Sequence, residues 1–259
     1  MNVHEKLRDL NVGYLAGKRG FIEERPTLVM LHGAGGSSRV WQNQISFLDK
    51  NLNVLALDLP GHGETEGQGH SSISAYAQWL GEILRVLFDY SVFLMGHSMG
   101  GAIVQETVSD RPNALEGIIL VGTGARMKVA PMFMDALLNN FEHTVDTFIG
   151  YAYSLKTDRS IVDEGGRLMK EAGGSVVYND FTACDQFDSN KGLIHMNLPC
   201  LILCGSEDKL TPPELSESLK KGIKGAILKI VPDAGHMVMV ERPKELNESV
   251  QEFILGTRP

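Results

Sequence analysis

The sequence lacks the features that mark secreted and membrane-spanning proteins. Its 259 residues contain only three cysteines, too few for a disulfide scaffold, and Cys200 and Cys204 would lie roughly 13 Å apart on one predicted strand. The first nine residues are charged and lack the apolar core of a signal peptide, and no apolar run approaches the length of a membrane span. We therefore expect a protein of the reducing cytoplasm, with buried cysteines and no membrane partner.

Clusters of basic residues are also absent. The chain has 24 Lys and Arg against 32 Asp and Glu, a net charge of -8, which disfavours nucleic acid as a partner. No group of Cys, His and Asp has the spacing of a metal site, and the glycine-rich segment 33–36 does not match the G-x-G-x-x-G of a dinucleotide site. We therefore expect neither a metal nor a cofactor. The sequence leaves the oligomeric state open between a monomer and a homodimer.

What the sequence does contain is a series of short apolar runs separated by helical patterns. None of the runs alternates with polar residues, so both faces of each strand should be buried, as in a parallel sheet. A helical spacing covers residues 74–88, and residues 211–214 have the T-x-x-E spacing of a capping box. The pattern predicts an α/β fold with a doubly wound, mostly parallel sheet. The runs are 28–31, 54–57, 92–95, 118–121, 201–204 and 227–231.

One long region breaks this alternation of strands and helices. Between about residues 125 and 197 there is no clear parallel strand. Apolar residues from Phe133 to Ala152 fall at spacings of three and four, which predicts a helix, and residues 160–171 predict another. We interpret this all-helical insertion as a lid over the edge of the sheet, and the alternative is a set of additional core helices.

Residues 96–100, Gly-His-Ser-Met-Gly, have the G-x-S-x-G pattern of a nucleophile elbow. They follow the apolar run 92–95 and precede a helical stretch at 102–108, which is the strand–turn–helix setting of that motif. The glycines let strand and helix approach closely, and the helix N-terminus favours negative charge that develops at Ser98. The alternative is a glycine-rich turn with an inert, buried serine.

Polar or glycine-rich elements follow five of the predicted strands. Because the carboxyl ends of parallel strands lie along one edge of a sheet, a serine, an acid and a histidine distant in sequence would meet there. The chain order Ser98, Asp208, His236 is the order expected when an elbow serine uses a catalytic triad. The five elements are 32–36, 58–63, 96–100, 205–208 and 235–236.

With these motifs the chain resembles the α/β-hydrolase fold superfamily, from about Leu28 to the C-terminus. The resemblance is to lidded serine hydrolases, which include carboxylesterases, carbon–carbon bond hydrolases and haloperoxidase-like enzymes. It implies a helical lid (cap) inserted after the sixth strand. Residues 125–197 would form the lid, and residues 1–124 and 198–259 would form the hydrolase core.

The resemblance also implies a role for each site residue. Ser98 would be the nucleophile, His236 the general base, and Asp208 the group that orients and stabilises the imidazolium. The backbone N–H groups of Met99 and Ala34 would form the oxyanion hole.

Some of these assignments have competitors nearby in the sequence. The N–H of Gly35 is an alternative to that of Ala34, and Glu207 is a less favoured alternative to Asp208. Structural rather than catalytic roles are expected for His32, Asp58, His62 and His97. The methionines Met127, Met132, Met134, Met237 and Met239 are expected either to line an adaptable apolar pocket or to fill the ordinary core, with neither alternative preferred.

The expected function is a serine hydrolase that acts through an acyl-enzyme on a small, largely apolar carboxylic ester. The serine disfavours epoxide hydrolases and haloalkane dehalogenases, whose elbow residue is aspartate. Carbon–carbon hydrolysis of a vinylogous diketone is the next alternative, although segment 32–37 lacks the proline that those enzymes commonly carry. Thioesterase, lactonase and perhydrolase activities stay open. A small-ligand receptor without turnover is less favoured, because all three triad residue types are present.

Overall fold

The computed structural model describes residues 2–110 and 115–257, which form one seven-stranded sheet flanked by helices. Residues 1, 111–114, 258 and 259 of the predicted hydrolase core lie outside the described residues. The strands are β1 (Tyr14–Ala16), β2 (Thr27–Leu31), β3 (Asn53–Leu57), β4 (Val92–His97), β5 (Leu115–Val121), β6 (Cys200–Gly205) and β7 (Ile227–Val231). The helices are α1 (Val3–Asp9), α2 (Gln42–Leu48), α3 (Ile73–Leu87), α4 (Met99–Asp110), α5 (Pro131–Asn139), α6 (Phe141–Ala152), α7 (Arg159–Ala172), α8 (Gly174–Gln186), α9 (Pro213–Gly222), α10 (Val238–Glu241) and α11 (Pro243–Thr257).

The strands lie in the order β1-β3-β2-β4-β5-β6-β7. Neighbouring strands are parallel throughout, except that β1 is antiparallel to β3. Each of the six apolar runs forms one of the strands β2 to β7, so the predicted doubly wound α/β fold is confirmed. The sequence did not predict β1, because three residues are too few to show a periodic pattern.

The two faces of the sheet are covered by different helices. Along β2, Val29 and Leu31 belong to the core shared with α3 and α4, while Leu28 and Met30 belong to the core shared with α2 and α11. Successive side chains of a strand point to opposite faces of the sheet, which produces this alternation. Because helices cover both faces, positions 28–31 of the strand are all apolar. Strands β2, β3, β4 and β6 are accordingly buried at every residue.

Strand β7 departs from the predicted burial of both faces. Ile227 is 47% exposed and Ile230 is 43% exposed. The prediction was wrong here because β7 is an edge strand that pairs only with β6, so part of its surface meets solvent.

Helices α5 to α8 lie between β5 and β6 and form a hydrophobic cluster of their own. The apolar stripe from Phe133 to Ala152 predicted one helix, but the chain forms two, which are separated at Asn140. The insertion was predicted after the sixth strand, but it follows β5. One strand fewer precedes it than predicted, because the residues before Tyr14 form helix α1 and not another strand. The cluster contains Leu137, Val145, Ile149, Ala152, Tyr153, Met169, Val177 and Phe181.

Candidate active site

Ser98 occupies a tight turn between β4 and α4. Its backbone φ is +53°, a left-handed conformation that is strained for a residue with a side chain. The turn brings backbone so close that a Cβ on Gly96 would lie 2.1 Å from the Gly100 carbonyl oxygen. A Cβ on Gly100 would lie 2.6 Å from the carbonyl oxygen of Leu31. The glycines at both ends of the pattern are therefore required by the close approach of strand and helix.

Neighbouring backbone and side-chain groups hold this turn in place. The Ser98 N–H donates to the Val121 carbonyl at 2.9 Å, and the Thr123 hydroxyl donates to the Ser98 carbonyl at 2.8 Å. The buried His97 ring donates from Nε2 to the backbone carbonyl of His236 at 3.1 Å. Burial and the nearby His236 hold the pKa of His97 well below its ordinary value, so this ring is a neutral structural group.

Asp208 and His236 form a buried pair at the carboxyl edge of the sheet. The Nδ1–H of His236 donates to Asp208 Oδ2 at 2.9 Å. The other carboxylate oxygen, Oδ1, accepts the N–H groups of Leu210 and Thr211, each at 2.9 Å. Burial acts to raise the pKa of Asp208, but His236 and these hydrogen bonds outweigh it and hold the pKa below its ordinary value. The carboxylate is therefore ionised at neutral pH.

Thr211 has a different role from the one that its spacing predicted. Helix α9 has Pro212 at its N-cap and no side-chain capping bond, so the predicted capping box is wrong. The Thr211 hydroxyl instead donates to Asp208 Oδ2 at 2.8 Å and lies 3.1 Å from Nδ1 of His236. Sequence reasoning missed this residue as part of the site, although it stands only three positions after Asp208.

The carboxylates of Glu207 and Asp58 accept hydrogen bonds from groups other than the His236 ring. The carboxylate of Glu207 accepts the Ser154 hydroxyl at 2.6 Å. Asp58 accepts the backbone N–H of Ser38 at 2.6 Å and that of Glu64 at 3.0 Å, as expected of a turn residue. The structure therefore pairs the histidine with Asp208 rather than with Glu207 or Asp58.

His32 supports the neighbouring loops. Its Nδ1–H donates to the Gly33 carbonyl at 2.8 Å, and its Nε2 accepts the Leu59 N–H at 3.1 Å. Burial and the nearby His62 lower the pKa of His32 to about 4. This ring therefore stays neutral and joins the loops that follow β2 and β3.

The glycine-rich loop after β2 lies beside the elbow. A Cβ on Gly33 would lie 3.1 Å from Cβ of Ser98, which measures how closely the loop approaches the serine. The Gly35 N–H donates to Asp180 Oδ2 at 2.8 Å and is thus already engaged. Among the described residues, the N–H groups of Ala34 and Met99 have no hydrogen-bond partner.

Two cavities meet at Ser98 and His236. One, of about 480 Å³, runs along the glycine-rich loop 33–36 and α7. The other, of about 680 Å³, lies between the elbow and helices α5, α6 and α8. Phe148 and Phe181 line both cavities, and their ring centroids are 5.2 Å apart in an edge-to-face arrangement. Of the five methionines considered above, Met127 and Met132 line the second cavity and Met237 lines the first.

The loop that carries His236 is attached to the end of α6 through a buried glutamate that the sequence did not single out. Glu241 accepts the Gly235 N–H at 3.0 Å, the Ser154 N–H at 2.8 Å and the Thr157 hydroxyl at 2.6 Å. In addition, the His236 N–H donates to the Ala152 carbonyl at 2.8 Å. The histidine loop and the helical insertion are therefore joined directly.

Three general properties of the described residues complete the description of the site and its surroundings. Within residues 2–110 and 115–257, no helix is long and apolar enough to cross a membrane. In the same ranges, no cluster of three or more His, Cys, Asp and Glu side chains is arranged to hold a metal ion. All three cysteines are free and buried.

Comparison with known proteins gives consistent matches over most of the chain. The family model described as "Alpha/beta hydrolase family" matches residues 28–249. The (E)-2-((N-methylformamido)methylene)succinate hydrolase of Acinetobacter baylyi is 24% identical over 246 residues, which are 90% of this chain and 92% of that protein. The pimeloyl-(acyl-carrier protein) methyl ester esterase of Serratia marcescens is 26% identical over 249 residues, 88% of this chain and 93% of that protein. A solved structure of a thermophilic esterase has a TM-score of 0.84 and 29% identity, covering 95% of this chain and 94% of that chain.

Proposed function

The chain belongs to the alpha/beta hydrolase family, and from this membership and the site geometry we propose that it hydrolyses a small, largely apolar carboxylic ester through an acyl-enzyme on Ser98. Two of the similar proteins are a pimeloyl-(acyl-carrier protein) methyl ester esterase and a thermophilic esterase. The observation that carries the proposal is the 2.9 Å bond between Asp208 and His236, together with the position of His236 and the strained Ser98 in the lining of both cavities.

In the proposed mechanism, Nε2 of His236 takes the proton of the Ser98 hydroxyl while Oγ bonds to the ester carbonyl carbon. The carbonyl oxygen becomes an anion, and the N–H groups of Ala34 and Met99 donate to it. When this intermediate collapses, the bond to the alcohol oxygen breaks and His236 protonates the departing alcohol. A water molecule then attacks the acyl-enzyme by the same route and releases the carboxylic acid.

Asp208 fixes the tautomer of His236 that can act as a general base. Because Nδ1 carries the proton donated to Asp208, Nε2 is left with the lone pair that a general base needs. The carboxylate accepts four hydrogen bonds and stays ionised, so it stabilises the imidazolium that forms during attack. Thr211 supplies two of these four bonds and acts by orienting the carboxylate.

A hydrogen bond made by the neighbouring Gly35 supports the choice of Ala34 as an oxyanion donor. Gly35 was the alternative donor, but its N–H is bonded to Asp180. A bonded amide is not available to a developing oxyanion, whereas the N–H of Ala34 has no partner among the described residues. Met99 is the first residue of α4, where an N–H has no partner within the helix.

We propose that residues 125–197 act as the lid and set the substrate class. The lid helices place Phe133, Phe148 and Phe181 against the cavity that meets Ser98, so the groups on either side of the scissile bond would contact mainly apolar surface. The two cavities give one space to the acyl group and another to the alcohol. Apolar esters are favoured over charged ones, because burying an unpaired charge in such a site is costly.

The mechanism is tested with the Ser98→Ala variant and a fluorophosphonate probe, which labels an activated serine. We expect one label per wild-type chain at Ser98, and neither labelling nor ester turnover in the variant, with the fold preserved by circular dichroism. Ser218→Ala, which removes an exposed helical hydroxyl, is the matched control and should behave as wild type. Full ester turnover by a folded Ser98→Ala protein would refute the mechanism.

A substrate panel distinguishes ester hydrolysis from the alternative hydrolytic reactions. Esters of increasing acyl length, thioesters, lactones and a vinylogous diketone are assayed with the same enzyme preparation. Turnover confined to the diketone would replace ester hydrolysis with carbon–carbon bond hydrolysis. A wild-type protein that neither labels at Ser98 nor turns over any member would favour a ligand-binding role.

A further inference from the structure

Asp180, on helix α8 of the insertion, is a fully buried carboxylate that accepts hydrogen bonds from three separate parts of the core. The Gly35 N–H donates to its Oδ2 at 2.8 Å, and Nε2–H of His62 donates to the same oxygen at 2.9 Å. The Tyr76 hydroxyl donates to Oδ1 at 2.6 Å. These donors are separated from Asp180 by 145, 118 and 104 positions in sequence, so one side chain joins the insertion to three distant segments.

The partner of this carboxylate is a buried, charged histidine. His62 also donates from Nδ1 to the Pro60 carbonyl at 3.1 Å, so both of its ring nitrogens act as donors. Burial acts to lower the pKa of His62, but the Asp180 carboxylate outweighs it and raises the pKa above its ordinary value. Neither side chain has any exposed surface. Such a pair is maintained only while both partners stay in contact, because an unpaired buried charge is strongly unfavourable.

The bond to Gly35 acts directly on the glycine-rich loop 33–36. Gly35 has a φ of +63°, and the Gly36 N–H closes a turn on the Gly33 carbonyl at 3.1 Å. Fixing the Gly35 N–H fixes the plane of the Ala34–Gly35 peptide, because that peptide is planar. The Ala34 N–H lies in the preceding peptide plane, whose Gly33 carbonyl accepts the Gly36 N–H of the same turn. Helix α7 also packs against this turn, since a Cβ on Gly35 would lie 2.8 Å from the side chain of Met169.

We propose that Asp180 is a positioning residue that couples docking of helix α8 to the catalytically competent conformation of the glycine-rich loop 33–36. Its carboxylate holds the Gly35 N–H, and the held loop presents the Ala34 N–H to the substrate. Ala34 serves as a donor in the proposed ester hydrolysis, so the catalytic part of this inference rests on that function. The structural coupling between α8 and the loop does not depend on the proposed function.

The coupling is tested by hydrogen exchange of the loop segment 33–36 in Asp180→Ala and Asp180→Asn. Loss of a charge-assisted bond should speed exchange of this segment by about tenfold or more in Asp180→Ala. Asp180→Asn keeps one acceptor oxygen and should fall between Asp180→Ala and wild type. Asp185→Ala, on the same helix, removes a carboxylate that contacts Lys128 and the Val129 N–H instead, and it should leave exchange of the loop unchanged.

A measurement on the wild-type protein covers the case in which Asp180→Ala does not fold. Native-state exchange in increasing denaturant should give the Gly35 amide and the amides of α8 one shared opening free energy and one shared denaturant slope. If Gly35 exchanges through an easier opening while α8 stays protected, the coupling is overturned. Unchanged exchange of segment 33–36 in a folded Asp180→Ala protein would also overturn it.

Kinetics then test the consequence for catalysis. With an ester that the wild type cleaves, Asp180→Ala should lower kcat by about 100-fold with a much smaller change in KM, because a displaced donor affects mainly the transition state. Faster loop exchange together with an undiminished kcat would contradict a positioning role. If the wild type cleaves no ester at all, the proposed function fails, while the exchange experiments still decide whether Asp180 couples the lid to the loop.

Discussion

The Thr211 hydroxyl donates to Oδ2 of Asp208 at 2.8 Å, on the same carboxylate oxygen that accepts the His236 ring. Two donors thus converge on one oxygen and fix its position relative to the imidazole. The same threonine donates its backbone N–H to Oδ1, so a single residue restrains both carboxylate oxygens. The orientation of the acid therefore depends on Thr211 as well as on the histidine.

Thr211→Val keeps the shape of the side chain and removes only the hydroxyl. We expect kcat for ester hydrolysis to fall by about tenfold, the equivalent of one charge-assisted hydrogen bond, with little change in KM. Steady-state kinetics on one ester measure the effect. Thr257→Val, which removes a helix hydroxyl bonded to the Phe253 carbonyl, is the matched control and should keep wild-type kcat. Equal kcat values in the two variants would show that the Thr211 hydroxyl is not needed.

Asp208 makes the stability of the fold depend on pH. Its pKa is lower in the folded protein than the value of about 3.9 for an unfolded chain, so ionisation stabilises the folded state. This contribution is fully present above the unfolded pKa and is lost as pH falls through the folded pKa. The difference in unfolding free energy between wild type and Asp208→Asn should be constant from pH 7 to about pH 5 and shrink below about pH 4.

Urea unfolding at a series of pH values tests this dependence. Asp135→Asn, at an exposed position on α5, is the control, and its difference from wild type should stay near zero throughout. A gap between wild type and Asp208→Asn that remains undiminished at the lowest pH would exclude a stabilising role for the ionised carboxylate.

Glu241→Gln is expected to weaken the attachment between the histidine loop and the insertion. Three donors converge on the two oxygens of Glu241, and the amide group of glutamine would turn its own N–H donors toward at least one of them. We expect a loss of about 2 kcal/mol in unfolding free energy by urea denaturation, the cost of an unsatisfied buried donor. Glu248→Gln, at an exposed site on α11, should lose far less. A stability equal to that control would contradict the proposed attachment.

The parts of the molecule that sequence predicted are those governed by local patterns. Strands that are buried on both faces give uninterrupted apolar runs, and the elbow follows from glycines within five consecutive residues. Thr211 shows the limit of such patterns, because its spacing to Glu214 satisfies a capping box while its hydroxyl bonds to Asp208. The local motif predicted a capping bond at the start of α9 for this residue, whereas the structure shows a bond to the site carboxylate.

The residues that sequence reasoning missed act through contacts between distant segments. Asp180 meets Gly35 across 145 positions, and Glu241 meets Ser154 across 87. In the sequence each is an acidic residue on a helix, a common feature of exposed helix faces. Their burial and partners depend on how the insertion packs against the core, and packing at that distance leaves no periodic signal in one sequence.

Phe148 lines both of the cavities that meet at Ser98, and its removal should change which esters are preferred. Phe148→Ala removes a ring that belongs to both linings, and it should raise kcat/KM for long or branched acyl groups relative to short ones by about tenfold, a size typical of apolar pocket changes. The ratio of kcat/KM values over an acyl-length series measures the effect. Phe47→Ala, on helix α2 outside both cavities, should leave the ratio unchanged while it removes the same aromatic group. An unaltered ratio in Phe148→Ala would mean that this ring does not limit the size of the acyl group, and that selectivity must come from other residues that line the cavities.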